Sequence, residues 1–501
     1  MTPKTYVRRA LTSGTVRLAA LILTVLLLCT ALPSRSAQAA EWMQPYLDQV
    51  VEWGVMGGDA TGNLHEDRPI TRAELVTLIN RAFGYTEPGP HPFTDVTPRD
   101  WFAEDIGIAY NVGYFGGTSA NTASPRALVT REQAAVLLGR CLRLQGTTGA
   151  ASSTFTDAYQ IGGWSRGLVQ EAADLGIIGG YADGTFRPRQ NITRGQMACF
   201  LVRALGTLIQ EPGELSSGGV YGNLTINVPG VKLKDTTITG NLYLTGGVGL
   251  GNVELENVNV LGKIVVCGGG EAEGGKHSII LRNVTAGTLE VDSLTEQFLS
   301  VHAEGLTDIA NTIVRTSAYV EDLTDDDMGL KSIQLDGLEG SQFQLAGNIK
   351  HVINLTPDSA LQIAQGVAGV VTIDEKAVNA TLTIDKKTTV QELNLDRGTQ
   401  VTGEGSIGHL NINAPGSNVS MLPDTITVRP GITGNIYNQD MDTGAAAESS
   451  EDPRLLAGYP AAKNVAPTSA DAVFRTNKTG TIHWGLTALM DGSLGEDELM
   501  N

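Results

Sequence analysis

Residues 164–203 read WSRGLVQEAADLGIIGGYADGTFRPRQNITRGQMACFLVR and form the clearest of three copies of one unit. All three copies keep the frame W-x14-GG-x12-TR without insertion or deletion. The frame falls at Trp42, Gly57-Gly58 and Thr71-Arg72, at Trp101, Gly116-Gly117 and Thr130-Arg131, and at Trp164, Gly179-Gly180 and Thr193-Arg194. A further Arg follows each Thr after ten residues, at Arg81, Arg140 and Arg203. Such fixed spacing indicates an internal repeat.

Each copy predicts two helices joined by a Gly-rich turn. In copy three, apolar residues recur at helical spacing between positions 165 and 175, and Gly176 then ends the first helix. Thr193 is suited to cap the second helix, with Gln196 at the third helical position. The equivalent positions in copies one and two hold Glu74 and Gln133, so all three copies predict a capping box.

Arg follows the capping Thr in every copy, at Arg72, Arg131 and Arg194. A cation at a helix N-terminus is disfavoured by the helix dipole, at a cost of some tenths of a kcal/mol. We therefore expect these three side chains to bind an anionic ligand, together with the free N–H groups of the helix start. The Arg residues near the helix C-termini need no such explanation, because the dipole favours a cation there.

The turn and cap residues resemble the S-layer homology family. Copy one reads T-R-A-E at 71–74, copy three has the turn G-Y-A-D-G-T-F at 180–186, and F-T-D precedes copies two and three at 93–95 and 155–157. The resemblance covers about a third of the chain. The chain departs from the family pattern in three places. Copy two lacks the D-G turn, copies two and three read T-R-E-Q and T-R-G-Q, and copy one lacks F-T-D. We expect some grooves between copies to bind weakly for this reason.

The resemblance implies a pseudo-threefold helical unit that binds secondary cell-wall polymer, a pyruvylated or otherwise anionic polysaccharide, and peptidoglycan. It leaves open self-association in a surface layer. The motif Arg of each copy would meet a ligand carboxylate in the groove between copies. The implied polymer-binding residues are Arg72, Arg131, Arg194, Trp42, Trp101, Trp164, Gly58, Gly117, Gly180, Glu74 and Asp183.

Beyond the repeats, short alternating runs of Val, Ile, Leu and Thr are separated by Gly, Asn and Asp. One run type, V-x-L-x-[DN]-x-x-[IV], occurs at 231–238 and 253–260. Another, G-x-[LI]-x-[ILV], recurs at 222–226, 240–244, 262–266 and 287–291. This recurrence favours a right-handed parallel β-helix, with one coil per repeat. A β-sandwich is the alternative, although the Asn-Gly and Asp-Gly pairs typical of hairpin turns are scarce between adjacent runs.

The expected organisation is an α + β multidomain chain. Its predicted parts are a signal peptide at 1–40, repeats at 41–88, 89–150 and 151–210, a linker at 211–219, the β-helix at 220–437, and an acidic linker with a partial β segment at 438–501.

The N-terminus reads as an export signal, with a basic start, an apolar run and the A-x-A site at 37–39. Its removal takes five basic residues and no acidic one, leaving 30 Lys and Arg against 54 Asp and Glu, a formal charge of −24. Such acidity disfavours nucleic acid as a partner. We expect a secreted protein of a Gram-positive cell wall without a membrane span after cleavage. Its remaining cysteines, Cys141, Cys199 and Cys267, are expected to be buried thiols rather than disulfides.

The β-helix could instead be a polysaccharide-active lyase or hydrolase held at the wall by the same repeats. The candidate groups are Arg315 with Asp325, Asp326 and Asp327, and a Gly-rich insert with Glu271, Glu273, Lys276 and His277. Neither group recurs on neighbouring coils in a way that would build a shared cleft, and acidic loops are usually solvated. We therefore expect no catalytic residue, no cofactor and no metal.

Overall fold

The computed structural model describes residues 41–146, 154–216, 218–270, 279–295, 297–324, 328–436, 439–442, 461–466 and 469–473. The predicted signal peptide and most of the predicted acidic linker and partial β segment at 438–501 lie outside these residues, as do the candidate groups at 271–277 and 325–327. Within the described part, no helix has the length and apolar character needed to cross a bilayer.

The repeats fold as three pairs of helices. Among the described residues the α-helices are α1 (Gln44–Glu52), α2 (Arg72–Phe83), α3 (Ala103–Val112), α4 (Arg131–Cys141), α5 (Arg166–Asp174) and α6 (Arg194–Leu205). The predicted capping boxes are confirmed at Thr71, Thr130 and Thr193. In each, the Thr side chain accepts from the backbone of the third helical residue, whose side chain accepts from the Thr backbone.

The three repeats close into a ring. The first helix of each repeat packs on the second helix of the preceding repeat, so that α3 packs on α2, α5 on α4, and α1 on α6. One continuous buried core joins all six helices, with Ile79, Leu138 and Leu201 at equivalent positions of the three second helices. The last pairing connects the start of the unit to its end, because it brings the first repeat against the third.

The rest of the described chain is a parallel β-solenoid. Its strands are β1 (Thr207–Ile209), β2 (Gly213–Ser216), β3 (Val220–Tyr221), β4 (Leu224–Ile226), β5 (Val231–Ile238), β6 (Leu242–Leu244), β7 (Val253–Val266), β8 (Ile279–Arg282), β9 (Thr285–Val291), β10 (Leu299–Gly305), β11 (Asp308–Val314), β12 (Ala318–Thr324), β13 (Gly329–Leu330), β14 (Ile333–Leu335), β15 (Gln342–Asn354), β16 (Ala360–Ile373), β17 (Thr381–Ile384), β18 (Thr388–Leu395), β19 (Gln400–Gly403), β20 (Ser406–Ile412), β21 (Ser417–Val419), β22 (Thr425–Val428) and β23 (Thr433–Ile436). Three further strands form antiparallel pairings, β24 (Gln439–Asp442), β25 (Ala461–Ala466) and β26 (Ser469–Val473).

Residues of successive coils stack in register. The longest ladder runs through Ile209, Ile226, Leu244, Val266, Val291, Val314, Leu335, Asn354, Ile373, Leu395, Ile412 and Val428. The four predicted G-x-[LI]-x-[ILV] runs end at consecutive rungs of this ladder, so they are equivalent positions of successive coils. The predicted solenoid is confirmed, and the sandwich alternative is wrong, because β1 to β23 pair in parallel rather than as hairpins.

A polar corner turns the first coils. Asp235, Asn257 and Asn283 adopt positive φ angles of 48°, 54° and 55°, a conformation that Asn and Asp accept more readily than most residues. The Asn257 amide donates to Asp235 at 2.9 Å, and the Asn283 amide donates to Asn257 at 2.9 Å. The Asp/Asn position of the V-x-L-x-[DN] pattern thus bends the chain and links neighbouring coils.

Opposite charges alternate on one outer face of the solenoid. Lys234, Glu256, Arg282 and Glu304 follow one another up a ladder, and Arg282 forms an ion pair with Glu304. In the adjacent row, the Lys232 ammonium lies 3.1 Å from Glu254 and 3.0 Å from Glu256. Since parallel stacking places like positions directly above each other, the alternation avoids repulsion between coils and favours this register.

The solenoid begins directly after α6. The stretch 211–219, expected to be a linker, contains β2, which pairs with β5, and the earlier strand β1 already pairs with β4. Only Gly206 separates α6 from β1. Tyr243, Val265 and Cys267 of the solenoid lie in the buried core of the helices, so the two parts are packed together rather than tethered.

The polar corner predicts that different substitutions of Asn257 lower the free energy of unfolding by different amounts. Asn257→Ala removes the ladder hydrogen bonds and leaves a Cβ residue at positive φ, so the free energy of unfolding should fall by about 1–2 kcal/mol. Asn257→Gly should cost less, because Gly accepts this φ without strain. Urea unfolding followed by circular dichroism measures both. Equal stability of the Ala variant and the unaltered protein would contradict the assignment.

Candidate functional site

The motif Arg of repeat two, Arg131, is hydrogen-bonded to the backbone of repeat three. Arg131 is only 3% exposed, and its Nε and Nη2 donate to the carbonyl oxygens of Phe186 and Gly179 at 2.8 and 2.7 Å. Its Nη1 donates to the side-chain oxygen of Gln196 at 3.2 Å. Both backbone acceptors belong to repeat three. The guanidinium therefore joins two repeats, and its third nitrogen faces the start of α6.

The other two motif Arg residues make the same contacts around the ring. Arg72 donates from Nε and Nη2 to the carbonyls of Ala123 and Gly116, both at 2.8 Å. Arg194 donates to the carbonyls of Leu64 and Gly57 at 2.7 and 2.8 Å. In every case the acceptors are the first Gly of the pair and the residue seven positions later. This structural role was not expected from the sequence, and it offsets the dipole cost of an Arg at these helix starts.

The F-T-D carboxylates hold the acceptor loops. Asp157 accepts from the amides of Phe186 and Arg187 at 2.7 and 2.8 Å, next to the carbonyl that Arg131 uses. Asp95 does the same for Ala123 and its neighbour at 2.8 Å each. Repeat one lacks F-T-D, and its turn is closed instead by Asp59 through its own loop. In repeats two and three, the F-T-D carboxylate thus holds the loop whose carbonyl accepts from the motif Arg of the preceding repeat.

The predicted Gly residues shape the turns. A Cβ on Gly58, Gly117 or Gly180 would lie 2.7, 2.3 and 2.7 Å from backbone atoms of the same turn. These positions therefore require Gly for close backbone approach. Asp183 also serves the turn, because it accepts from Thr185 and pairs with Arg187 at 2.8 Å.

A cavity of about 420 Å³, including its open mouth, lies at the Arg131 contact. It is lined by Trp42, Arg131, Gly179, Gly180, Tyr181, Gln196, Cys199, Phe200 and Arg203. Trp42 comes from repeat one, Arg131 from repeat two and the remaining residues from repeat three. The structure thus brings together three of the predicted binding residues, Arg131, Trp42 and Gly180. Trp101 and Trp164 are also accessible, with 65% and 61% of their surfaces exposed.

Two guanidinium groups, those of Arg131 and Arg203, line this cavity. Arg131 lies over the Tyr181, Phe186 and Phe200 rings at 5.0, 4.9 and 5.3 Å. Burial lowers the pKa of Arg131, yet an Arg keeps its charge in proteins. Arg203 stacks on Tyr46 at 5.3 Å and donates to its hydroxyl at 3.3 Å. Sequence reasoning assigned Arg203 to the helix dipole; its recurrence at a fixed offset was the signal that could have placed it here.

The position of Gln196 distinguishes the three grooves. Gln196 is neutral and donates to the Tyr181 hydroxyl at 3.0 Å. Repeat one holds Glu74 there, which pairs with Arg68 and accepts from the Thr71 amide at 2.9 Å. Burial alone would raise the pKa of Glu74, but the bonds from Arg68 and Thr71 outweigh burial and lower it. Burial lowers the pKa of Arg194, and the nearby Glu74 carboxylate opposes this shift without reversing it. The Arg194 groove therefore contains an acidic group that the Arg131 groove lacks.

Arg315, the candidate catalytic residue that the structure describes, forms ion pairs. Arg315 donates to Asp336 at 2.7 Å and lies 4.0 Å from Asp292, which is 1% exposed and also pairs with Arg143 after α4. Arg315 therefore takes part in the contact between the solenoid and the helices. The acidic residues proposed beside it, and the Gly-rich insert, lie outside the described residues.

Comparison with known proteins identifies the repeats. The model of the S-layer homology domain matches residues 92–135 and 154–198. Repeats two and three belong to the S-layer homology family. Repeat one lies outside the matched ranges, but it shares the frame and its carbonyls accept from Arg194 at the equivalent positions. The chain thus carries an S-layer homology unit followed by a β-solenoid, and it is a protein of the cell surface.

Three relatives place this unit in larger proteins. The chain is 30% identical over 169 residues to the "Surface-layer 125 kDa protein" of Lysinibacillus sphaericus, covering 33% of this chain and 14% of that protein. It is 28% identical over 164 residues to an "Amylopullulanase" of Thermoanaerobacterium thermosulfurigenes, covering 32% and 9%. It is 27% identical over 150 residues to a "Cellulosome-anchoring protein" of Acetivibrio thermocellus, covering 29% and 34%. The chain therefore spans about a third of one of these relatives and less of the other two, and the shared part matches the repeats in length.

The three buried thiols agree with the sequence prediction. Cys141, Cys199 and Cys267 are free and buried. Burial raises the pKa of Cys199 to about 11 and that of Cys267 to about 12. Cys199 therefore contributes a neutral, apolar surface to the cavity.

The Glu74 contacts predict a pH-dependent stability difference. The pKa of Glu74 is below its ordinary value of 4.5, so its stabilisation is complete above that pH and is lost as the pH falls through the folded-state pKa. Glu74→Gln should therefore reduce the free energy of unfolding at pH 7 by about 0.3–1 kcal/mol, since the Arg68 pair is partly exposed. The difference should shrink below about pH 4. Urea unfolding at pH 7 and pH 3.5 tests this, and a difference independent of pH would contradict it.

Proposed function

We propose that the S-layer homology unit anchors this protein to an anionic secondary cell-wall polymer, without a covalent bond, and that the groove around Arg131 is its principal binding site. The observation that supports this most directly is the pairing of Arg131 and Arg203 at one cavity whose remaining lining is neutral. A carboxylate-bearing sugar, such as a pyruvylated one, suits two planar donors beside accessible aromatic rings.

The proposed binding depends on the hydrogen-bond donors and aromatic ring faces that the cavity residues present to a ligand. Arg131 is oriented by the carbonyls of Phe186 and Gly179, so its guanidinium is fixed before the ligand arrives. Pre-organisation of this kind reduces the ordering cost of binding. Trp42 is 49% exposed at the mouth and offers a ring face to the sugar. The formal charge of the chain is strongly negative, so local Arg clustering has to attract the polymer against the overall field.

The other two grooves should contribute less. The Arg194 groove carries Glu74, whose charge opposes an anionic ligand. The Arg72 groove has neutral Gln133 at the equivalent position but Thr118 where the Arg131 groove has Tyr181. We propose a graded set of sites, in which Arg131 dominates and the polymer chain extends over the rest of the unit. The solenoid is displayed from this anchor in a structural or binding role.

A single substitution that adds a negative charge tests the principal groove. Gln196→Glu places a carboxylate beside the Arg131 guanidinium, as Glu74 already stands beside Arg194, so the fold should tolerate it. Binding to isolated wall sacculi that retain the polymer should weaken by roughly tenfold, because the neutralised Arg attracts the anion less, equivalent to about 1.4 kcal/mol. Gln133→Glu is the matched control in the Arg72 groove and should have a smaller effect. Co-sedimentation with the sacculi gives both affinities.

Two comparisons complete the experiment. Sacculi stripped of secondary polymer by acid should bind neither the unaltered protein nor its variants. The triple variant Arg72→Ala, Arg131→Ala, Arg194→Ala should lose binding to intact sacculi, although lost repeat contacts also lower its stability, so its folding is measured in parallel. Undiminished binding to stripped sacculi, or an unchanged affinity of Gln196→Glu, would refute the proposed site.

A further inference from the structure

The helix that lines the principal groove ends against the solenoid. Gln196, Cys199, Phe200 and Arg203 line the cavity and are spaced three, four and seven residues apart, so they share one face of α6. The last carbonyls of a helix have no partner within it. In α6 the carbonyls of Arg203, Ala204 and Leu205 are satisfied by two side chains of the first solenoid coils, Asn223 and Thr225.

Asn223 is held from several directions. Its amide nitrogen donates to the carbonyls of Arg203 and Ala204 at 3.3 and 3.1 Å, and its side-chain oxygen accepts from the Asn241 amide of the next coil at 2.9 Å. Its backbone carbonyl accepts from Thr207 at 2.9 Å. A Cβ on Gly206 would lie 1.9 Å from that carbonyl. The turn between α6 and β1 therefore has no room to shift.

Thr225 completes the contact. Its hydroxyl is fully buried and donates to the Leu205 carbonyl at 2.9 Å. Both Thr225 and its neighbours Leu224 and Ile226 belong to β4, whose rungs continue into β6. The end of α6 is thus bonded to the part of the solenoid that is itself fixed by the ladder.

We infer that Asn223 and Thr225 are positioning residues of the polymer groove, because they fix the last turn of α6 and so place the Arg203 guanidinium at the cavity it shares with Arg131. This inference rests on the proposed function. Binding groups have to be held within about 0.5 Å of the productive geometry, and a long Arg side chain on a frayed helix end would not be. The solenoid then contributes to wall binding without touching the polymer.

The chain contains a matched control at the equivalent helix of repeat one. Asn227 is buried, and its amide donates to the Ala82 carbonyl at the end of α2 at 3.1 Å. Asn227→Ala therefore removes the same kind of capping bond between the same two parts of the protein. It does so away from α6, and it leaves Arg203 and Arg131 in place.

The experiment measures affinity for polymer-bearing sacculi and thermal unfolding of the full chain for Asn223→Ala, Thr225→Val and Asn227→Ala. All three should lower the unfolding midpoint. Asn223→Ala and Thr225→Val should weaken binding roughly fivefold or more, the lower range of coupling between sites. Asn227→Ala should leave affinity within about twofold, below that range. Thr225→Ser, which keeps the hydroxyl, should bind the sacculi with an affinity close to that of the unaltered protein.

A double-variant comparison separates positioning from general stability. In the background of Arg203→Gln, Asn223→Ala should weaken binding no further, because the group that it positions is already gone. Equal losses for Asn223→Ala and Asn227→Ala, additive losses with Arg203→Gln, or normal affinity of Asn223→Ala would overturn the inference while leaving the groove intact. Failure of the unaltered protein to prefer polymer-bearing over stripped sacculi would instead overturn the proposed function, and this inference with it.

Discussion

The contact between an Arg side chain and two backbone carbonyls of the next repeat is the interaction on which the anchor depends. It occurs three times, from Arg72 to repeat two, from Arg131 to repeat three and from Arg194 back to repeat one. Three such contacts close a ring that no pair of repeats could form alone. Since Arg72 and Arg131 are buried and Arg194 is partly buried, the N–H groups that lose water have to be paired, and the carbonyls supply that pairing.

The same contact explains why a guanidinium that we propose as a binding group can be so well buried. Two of the three nitrogens of Arg131 are used by the fold, and the third faces Gln196. A group with this geometry is already oriented, and its aromatic neighbours keep it from moving. The structural role of these residues therefore does not exclude the binding role that we propose for them. The guanidinium that joins two repeats is also the one that a ligand would meet between them.

Much of this architecture could be predicted from the sequence, because its signals are local. The capping boxes at Thr71, Thr130 and Thr193 need only residues three positions apart, and the solenoid rungs need only recurring short patterns. The acceptors of Arg131 lie about 50 residues further along the chain, so no local pattern reveals them. The sequence predicts a linker at 211–219 because Pro, Gly and Ser break the helical pattern there, yet this stretch contains β2, which pairs with β5. The cavity role of Arg203 was missed for a related reason, since helix electrostatics gave its charge a sufficient local explanation.

Because a single residue, Gly206, separates the anchor from its solenoid, the two cannot swivel against each other as tethered modules would. The twelve stacked rungs, at about 4.8 Å each, make the solenoid an arm of roughly 50 Å. Drag on such an arm reaches the helical ring as torque as well as tension. Sites distributed around a ring resist torque better than one site at its centre would. The weaker grooves would then help the anchor to resist rotation even where they add little to its affinity.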